Sequence, residues 1–200
     1  MVSIKPIKLF GNWSQGFALD LHTVSSEFLG YDEYGHEMFD TKRSEIGELL
    51  YKLKYGADKS GMNEILDTVV SFLRDTWKIT GILDCVIPVP PSKADRDFQP
   101  VIEIAAGISL KLGIPVYKDA LKKIKVTSQF KNVFEYEERL KLLSNVFTVT
   151  SALTSGKNIL LFDDLYGSGA TVHTITRVLC EQGKARGVYV LALTKTRSKS

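Results

Sequence analysis

The chain has 200 residues and a mass of 22.3 kDa, with 44% hydrophobic and 24% charged residues, which predicts a buried core and excludes a disordered chain. Its formal charge of +3 is too small to mark a nucleic-acid binder, and the surplus is localised. The C-terminal tail carries Lys195, Arg197 and Lys199 without an acid, so the rest of the chain is neutral. Two distant cysteines, Cys85 and Cys180, exclude a disulfide framework and any CxxC zinc site. Three scattered histidines give no metal-ligand spacing. With no apolar leader in residues 1–10 and no stretch of membrane-span length, the expectation is a reduced, cytoplasmic protein without membrane contact.

The N-terminal segment is rich in aromatics and glycine, with Phe10, Trp13, Phe17, Phe28, Tyr31, Tyr34 and Phe39 among Gly11, Gly16, Gly30 and Gly35. Alternation at Phe17, Leu19 and Leu21 and a turn at 31–35 predict a hairpin or small β-rich unit over residues 1–43. From Ser44 the period becomes helical. Ile46, Leu49, Leu50 and Leu53 form one stripe, and Ile65, Leu66, Val69, Val70, Leu73 and Trp77 a second. An apolar strand at 85–89 ends in prolines. A helix then carries Val101, Ile104, Ala105, Ile108 and Leu112, and a short strand follows at 114–117. A basic stretch at 122–131, a helix at 135–143 and a strand at 146–149 come next. Residues 158–162 are the most strand-like of all. A helix with Val172, Ile175, Val178 and Leu179 stops at Gly183, and the last strand runs over 188–193. This alternation predicts an α/β core over residues 44–200, a parallel twisted sheet flanked by helices on both faces.

In an open parallel sheet, ligands bind beyond the carboxyl ends of the strands, where loops enter helices. Residues 159–172, Ile-Leu-Leu-Phe-Asp-Asp-Leu-Tyr-Gly-Ser-Gly-Ala-Thr-Val, stand there. They read as a buried strand, two acids, and a Gly/Ser/Thr turn that opens a helix. Gly167 and Gly169 let backbone N–H groups turn inward, Ser168 and Thr171 add hydroxyls, and the helix dipole favours an anion. No Walker A loop is present, and Val172 stands where a dinucleotide fingerprint needs a small residue. Adjacent carboxylates would repel a bare pyrophosphate but suit a vicinal diol, which donates two hydrogen bonds. A ribose 5-phosphate unit therefore fits, its diol on Asp163 and Asp164 and its phosphate on residues 167–171.

This segment closely resembles the phosphoribosyl pyrophosphate (PRPP) motif of type I phosphoribosyltransferases, in which Thr usually stands at the place of Gly167. A second resemblance runs over roughly residues 50–195. Lys54-Tyr55-Gly56, Ile87-Pro88-Val89-Pro90, Arg96-Asp97-Phe98-Gln99, Gln129, Arg139, Asn145 and Phe147 are similar to the ordered landmarks of ComF-type competence proteins. Those proteins usually open on a four-cysteine zinc ribbon, where this chain has its aromatic segment. Arg96-Asp97-Phe98 also departs from the usual Arg-Gly-Phe.

The resemblance implies a Mg²⁺-dependent phosphoribosyltransferase that moves phosphoribose from PRPP to a nitrogen acceptor, a nucleobase or an amine, and releases pyrophosphate. It assigns Asp163, Asp164 and Arg96 to catalysis. It assigns Tyr166, Gly167, Ser168, Gly169, Ala170, Thr171, Pro91, Ser92, Lys93, Gln129 and Arg139 to substrate. Mg²⁺ would meet Asp163 and Asp164 only indirectly, through ribose hydroxyls or water. Lys93 and Arg96 would hold pyrophosphate oxygens. Residues 118–145, which carry a net +3, would form a flap closing over PRPP. The segment 1–43 would be a hood, with Trp13, Phe17 and Tyr31 either stacking a base or forming its own core. His173 is assigned a structural role, and a homodimer is a further expectation. Two alternatives stay open: a PRPP- or nucleotide-sensing module without turnover, and a single-stranded-DNA-handling accessory protein that uses the basic flap and tail.

Overall fold

The computed structural model describes residues 1–56, 58–91, 98–124 and 146–197. In chain order its strands are β1 (Ile7–Lys8), β2 (Gln15–Leu21), β3 (Thr23–Tyr31), β4 (Glu37–Arg43), β5 (Cys85–Pro88), β6 (Leu121–Lys123), β7 (Phe147–Val149), β8 (Asn158–Tyr166) and β9 (Gly187–Lys195). The helices are α1 (Glu45–Tyr55), α2 (Met62–Ser71), α3 (Pro100–Leu112), α4 (Ser151–Thr154) and α5 (Ala170–Glu181). A π-helical turn, Phe72–Thr76, extends α2. No helix among the described residues is long and apolar enough to cross a membrane.

The main sheet has the order β1-β2-β9-β8-β5. Strands β2, β9, β8 and β5 run parallel, and β1 closes one edge antiparallel. Period-two alternation sends neighbouring residues of β8 to opposite layers. Leu160 and Phe162 join Leu191 and Leu193 against Ile46, Leu50 and Leu53 of α1, Ile65 and Val69 of α2, and Ile104 and Ile108 of α3. Ile159 and Leu161 join Val188 and Val190 against Val172, Ile175 and Leu179 of α5. The predicted α/β class, a parallel sheet with helices on both faces, is what the chain forms. Helix α1 starts where the Ser44 hydroxyl accepts from Gly47 N, and α3 ends on Gly113 in the left-handed region at φ 69°.

Several elements differ from the sequence expectation. Residues 1–43 are not one β unit. Strand β2 lies inside the main sheet, with Phe17 opposite Leu191 of β9, because Ala18 and Leu19 are apolar enough to be buried on both faces. Only β3 and β4 form a separate hairpin, closed at Asp32, whose carboxylate accepts from Tyr34 N and His36 N. Residues 114–117 give a single parallel bridge, Val86 to Val116, in place of a strand. The strand at 147–149 pairs antiparallel with β6 in a small sheet of its own, outside the main one. The helix expected at 135–143 lies outside the described residues. Finally, β8 does not stop at Phe162 but runs on through both acids to Tyr166, because β9 offers ladder partners as far as Lys195.

Trp13 anchors the N-terminal segment to the ligand edge of the sheet. It is buried, donates from Nε1 to Leu9 O at 3.0 Å, and meets Tyr166 and His173 edge-on at centroid distances of 6.3 and 6.4 Å. A core role, not base stacking, is what its position gives. The indole lies directly over the Cα atoms of Gly11 and Gly16, so a Cβ on either would run into the ring. Gly16→Ala is expected to lower stability by about 1–3 kcal/mol through overpacking, read by urea unfolding followed by circular dichroism. A cost below about 0.5 kcal/mol would show that Trp13 can move aside.

Candidate functional site

The site is built where β8 passes into α5. Residues 167–169 turn the chain, and Gly169 caps α5 at φ 84° and ψ −8°. Two constraints hold a glycine there. The backbone is left-handed, and a Cβ would collide with the Tyr166 hydroxyl. Helix α5 has no acidic residue in its first turn, and its cap residue makes no side-chain hydrogen bond. Ser168 Oγ stands 3.5 Å from Ala170 N. The positive end of a twelve-residue helix therefore faces a small pocket of about 80 Å³. Asp163, Leu165 and Tyr166 line it together with the turn and the first residues of α5. That volume suits one phosphate-sized group, well under the ~300–1,000 Å³ of a pocket that takes a whole small molecule.

The two acids do not face the same way. Asp163 lines the pocket on the α5 side, half-buried, and its Oδ1 accepts from Asp164 N at 2.9 Å. Asp164 lies in the α1 layer, where its Oδ2 is 2.8 Å from Lys54 Nζ, with both side chains about 15% exposed. The Asp164 carbonyl also accepts from Thr194 Oγ1 of β9 at 3.2 Å. Burial, followed by the Asp164 charge, pushes the Asp163 carboxyl up to about 7. Burial thus favours the protonated carboxyl on the pocket side, while the carboxylate on the opposite side is paired with Lys54. Next to this pair, burial lowers the pKa of His22, and the charges of Lys54 and Arg43 lower it further.

The sequence-predicted residues are thus distributed as follows. Asp163, Tyr166, Gly167, Ser168, Gly169, Ala170 and Thr171 meet at one pocket, and Asp164 lies behind it. Tyr166 contributes a buried wall, with its ring against Trp13. Pro91 leaves the sheet at the same carboxyl edge, since Val89 N donates to Phe162 O. Ser92, Lys93, Arg96, Gln129 and Arg139 lie outside the described residues. Among the described residues no group of three or more His, Cys, Asp or Glu could hold a metal ion. Lys54 was visible in sequence only as part of a landmark, with no role attached. The available signal was its position four residues after Leu50, on the flank of a stripe that must face the sheet.

Two outcomes follow from this electrostatic arrangement. An elevated Asp163 means the folded state keeps a proton that the unfolded state has lost, so stability falls as pH rises from about 4 to about 7 and levels off above. Asp163→Asn should flatten that slope. Its stability relative to wild type should be higher at pH 8 than at pH 4 by on the order of 2 kcal/mol in urea titrations, and parallel curves would contradict the assignment. Lys54→Met should cost about 3–5 kcal/mol by leaving a carboxylate buried without its partner, and Lys54→Met with Asp164→Leu should recover most of that loss. An additive double variant would mean that the pair is not coupled.

No family model matches the chain. It is 30% identical to competence protein ComFC of Bacillus subtilis strain 168 over 114 residues, which is 56% of this chain and 44% of that protein. Its fold superposes on glutamine PRPP amidotransferase from B. subtilis complexed with ADP and GMP with a TM-score of 0.50 and 18% identity, covering 81% of this chain and 34% of that one. For adenine phosphoribosyltransferase from Leishmania donovani the TM-score is 0.49 and the identity 13%, over 96% of this chain and 75% of that one. The chain therefore spans less than half the length of the curated relative it matches. The sequence is thus similar to a competence protein over part of its length, and the fold is the one seen in the PRPP amidotransferase structure.

Proposed function

We propose that this protein binds PRPP at the β8–α5 edge and transfers its phosphoribose to a nitrogen acceptor, with release of pyrophosphate. The observation that carries this reading is the phosphate-sized pocket at the start of α5, with a carboxylate on its rim. The 5-phosphate would sit on the backbone N–H groups of residues 167–171 and the hydroxyls of Ser168 and Thr171. The ribose diol would donate to Asp163. Asp164 faces the other layer, so its part is to hold negative charge beside the ribose under the control of Lys54.

The chain's share of the chemistry is then positioning and electrostatics. The acceptor nitrogen forms a bond to C1 as the C1–oxygen bond to pyrophosphate breaks. The leaving group takes the electron pair, and the acceptor loses its proton to water. Asp163 and Asp164 would stabilise the positive charge that develops on the ribose. Lys93 and Arg96 would hold the leaving pyrophosphate, and Gln129 and Arg139 would belong to the closing flap. Asp163, on the pocket rim, would face a divalent cation carried in with the substrate. Asp163 and Asp164 would meet Mg²⁺ only indirectly, and the ion would supply charge neutralisation to the leaving group.

The test is calorimetry with PRPP and Mg²⁺, followed by a pyrophosphate-release assay over a panel of nucleobases and amines. Wild type should bind, Asp163→Asn should lose at least about tenfold in affinity, and Gly169→Ala should lose more by blocking the cradle. Unchanged affinity in both variants would remove the assignment. Binding without pyrophosphate release would mean a PRPP-sensing module. The competence name of the curated relative favours one other reading, single-strand DNA handling, which requires an affinity that falls steeply with salt.

A further inference from the structure

We propose that His22 is the base that takes the proton from the acceptor nitrogen, and that the acceptor enters over the carboxyl ends of β2 and β9. The proposal rests on the phosphoribosyl-transfer reading above and deepens it. Sheet order fixes the side. In the order β2-β9-β8-β5, the segment that starts at Pro91 leaves β5 on one flank of Asp163 and Asp164, while β9 and β2 lie on the other. Pyrophosphate held by the segment after β5 departs on the first flank, so a nucleophile in line with it reaches C1 from the second. Ala18 of β2 and Ala192 of β9 face the α5 layer, and strand alternation puts Thr194 on that same face, the one Asp163 lines. His22 directly follows β2, and its ring stands against Thr194.

Hydrogen bonding determines which ring nitrogen is basic. Thr194 is fully buried, and its single hydroxyl proton goes to the Asp164 carbonyl at 3.2 Å, which can only accept. The 3.3 Å contact between Thr194 Oγ1 and His22 Nδ1 then takes its proton from the ring, so Nδ1 is the donor. Nε2 keeps its lone pair and makes no hydrogen bond to the described residues. Four charged groups surround the ring: Lys54 and Glu48 of α1, Arg43 at the end of β4, and Asp164 of β8. Burial, then the two cations, outweigh the two carboxylates and hold the imidazole pKa below its ordinary 6.5. The backbone under the ring is fixed, since His22 N donates to Lys195 O at 2.8 Å and Leu21 O accepts from the Ser44 hydroxyl. In the step itself the acceptor nitrogen bonds C1, and the C1–oxygen bond breaks with its electron pair leaving on pyrophosphate. The nitrogen's proton passes to Nε2, and the imidazolium then releases it to water.

The experiment has a ligand-free arm and a kinetic arm. Heteronuclear NMR of the imidazole nitrogens in the wild-type chain should show His22 neutral at about pH 7 with its proton on Nδ1. A proton on Nε2 overturns the proposal. In the kinetic arm, pyrophosphate release from PRPP with Mg²⁺ is followed in single turnover, with adenine, uracil and ammonia as acceptors, for wild type and His22→Asn. Asparagine keeps an N–H close to the Nδ1 position for Thr194 and removes Nε2. The variant should bind PRPP within about twofold of wild type by calorimetry and release pyrophosphate about 100-fold more slowly at about pH 8. The ratio of the two rates should shrink toward one as the pH falls below 6.5, because a protonated His22 is no base. A titration of Asp163 is common to both chains and cancels in that ratio. A ratio independent of pH, a rate loss below about threefold, or a loss of PRPP binding in step with rate overturns this proposal alone. A wild type that releases no pyrophosphate with any of these acceptors removes the transfer reading and this proposal with it.

Discussion

Successive residues of a strand face opposite ways, and at the end of β8 this separates two carboxylates that one backbone bond joins. Had the strand ended at Phe162, both acids could have turned toward one ligand. Because β9 keeps pairing with it as far as Tyr166, Asp163 is delivered to the α5 layer and Asp164 to the α1 layer. The two then meet different surroundings. Asp164 finds Lys54 at 2.8 Å, while Asp163 faces a pocket at the positive end of a helix. Burying a carboxylate is costly unless something compensates it. Here Asp164 is compensated by Lys54, whereas Asp163 answers its burial by holding its proton. The asymmetry leaves the pocket on the α5 side.

The same strand ladder explains why the N-terminal segment belongs to the site. Placing β2 beside β9 brings Trp13 against Tyr166, and Tyr166 in turn lies close enough to Gly169 to forbid any side chain there. The cradle is therefore backed by a run of contacts from Gly16 through Trp13 and Tyr166 to the first turn of α5. A preorganised backbone cradle needs such a wall, since hydrogen-bond donors aimed at an anion are effective only if they do not have to reorganise. The wall comes from residues far from the motif in the chain.

This division marks what the sequence could reveal. Residues 159–172 disclosed the strand, the turn and the helix start, because burial, glycine placement and hydroxyl content are local properties. The helical stripes of α1 and α3 were equally legible from their spacing. The facing of Asp163 and Asp164 was not, because it depends on how far β9 continues, which is a property of the partner strand. Lys54 stayed hidden for a related reason. A lysine on the flank of an apolar stripe is ordinary until the element opposite proves to carry a buried acid. The N-terminal segment misled because two of its glycines, Gly11 and Gly16, which resemble turn residues, serve to admit an indole ring.

One segment of chain joins the β3–β4 hairpin to the Lys54–Asp164 pair. Strand β2 ends at Leu21, the hairpin leaves and returns, and Ser44 closes it by donating its hydroxyl to Leu21 O while capping α1. Eleven residues of helix follow, with Lys54 near their end. The hairpin base and the Lys54–Asp164 pair are thus fixed to one rigid rod, whose inner face is held by Ile46, Leu50 and Leu53. A hydroxyl that both accepts from Gly47 N and donates to Leu21 O ties the start of that rod to the carboxyl edge of the sheet. The lysine can then be placed within hydrogen-bond distance of a strand residue more than a hundred positions away. That half-buried lysine pairs with Asp164 in the α1 layer and leaves Asp163 alone on the pocket side.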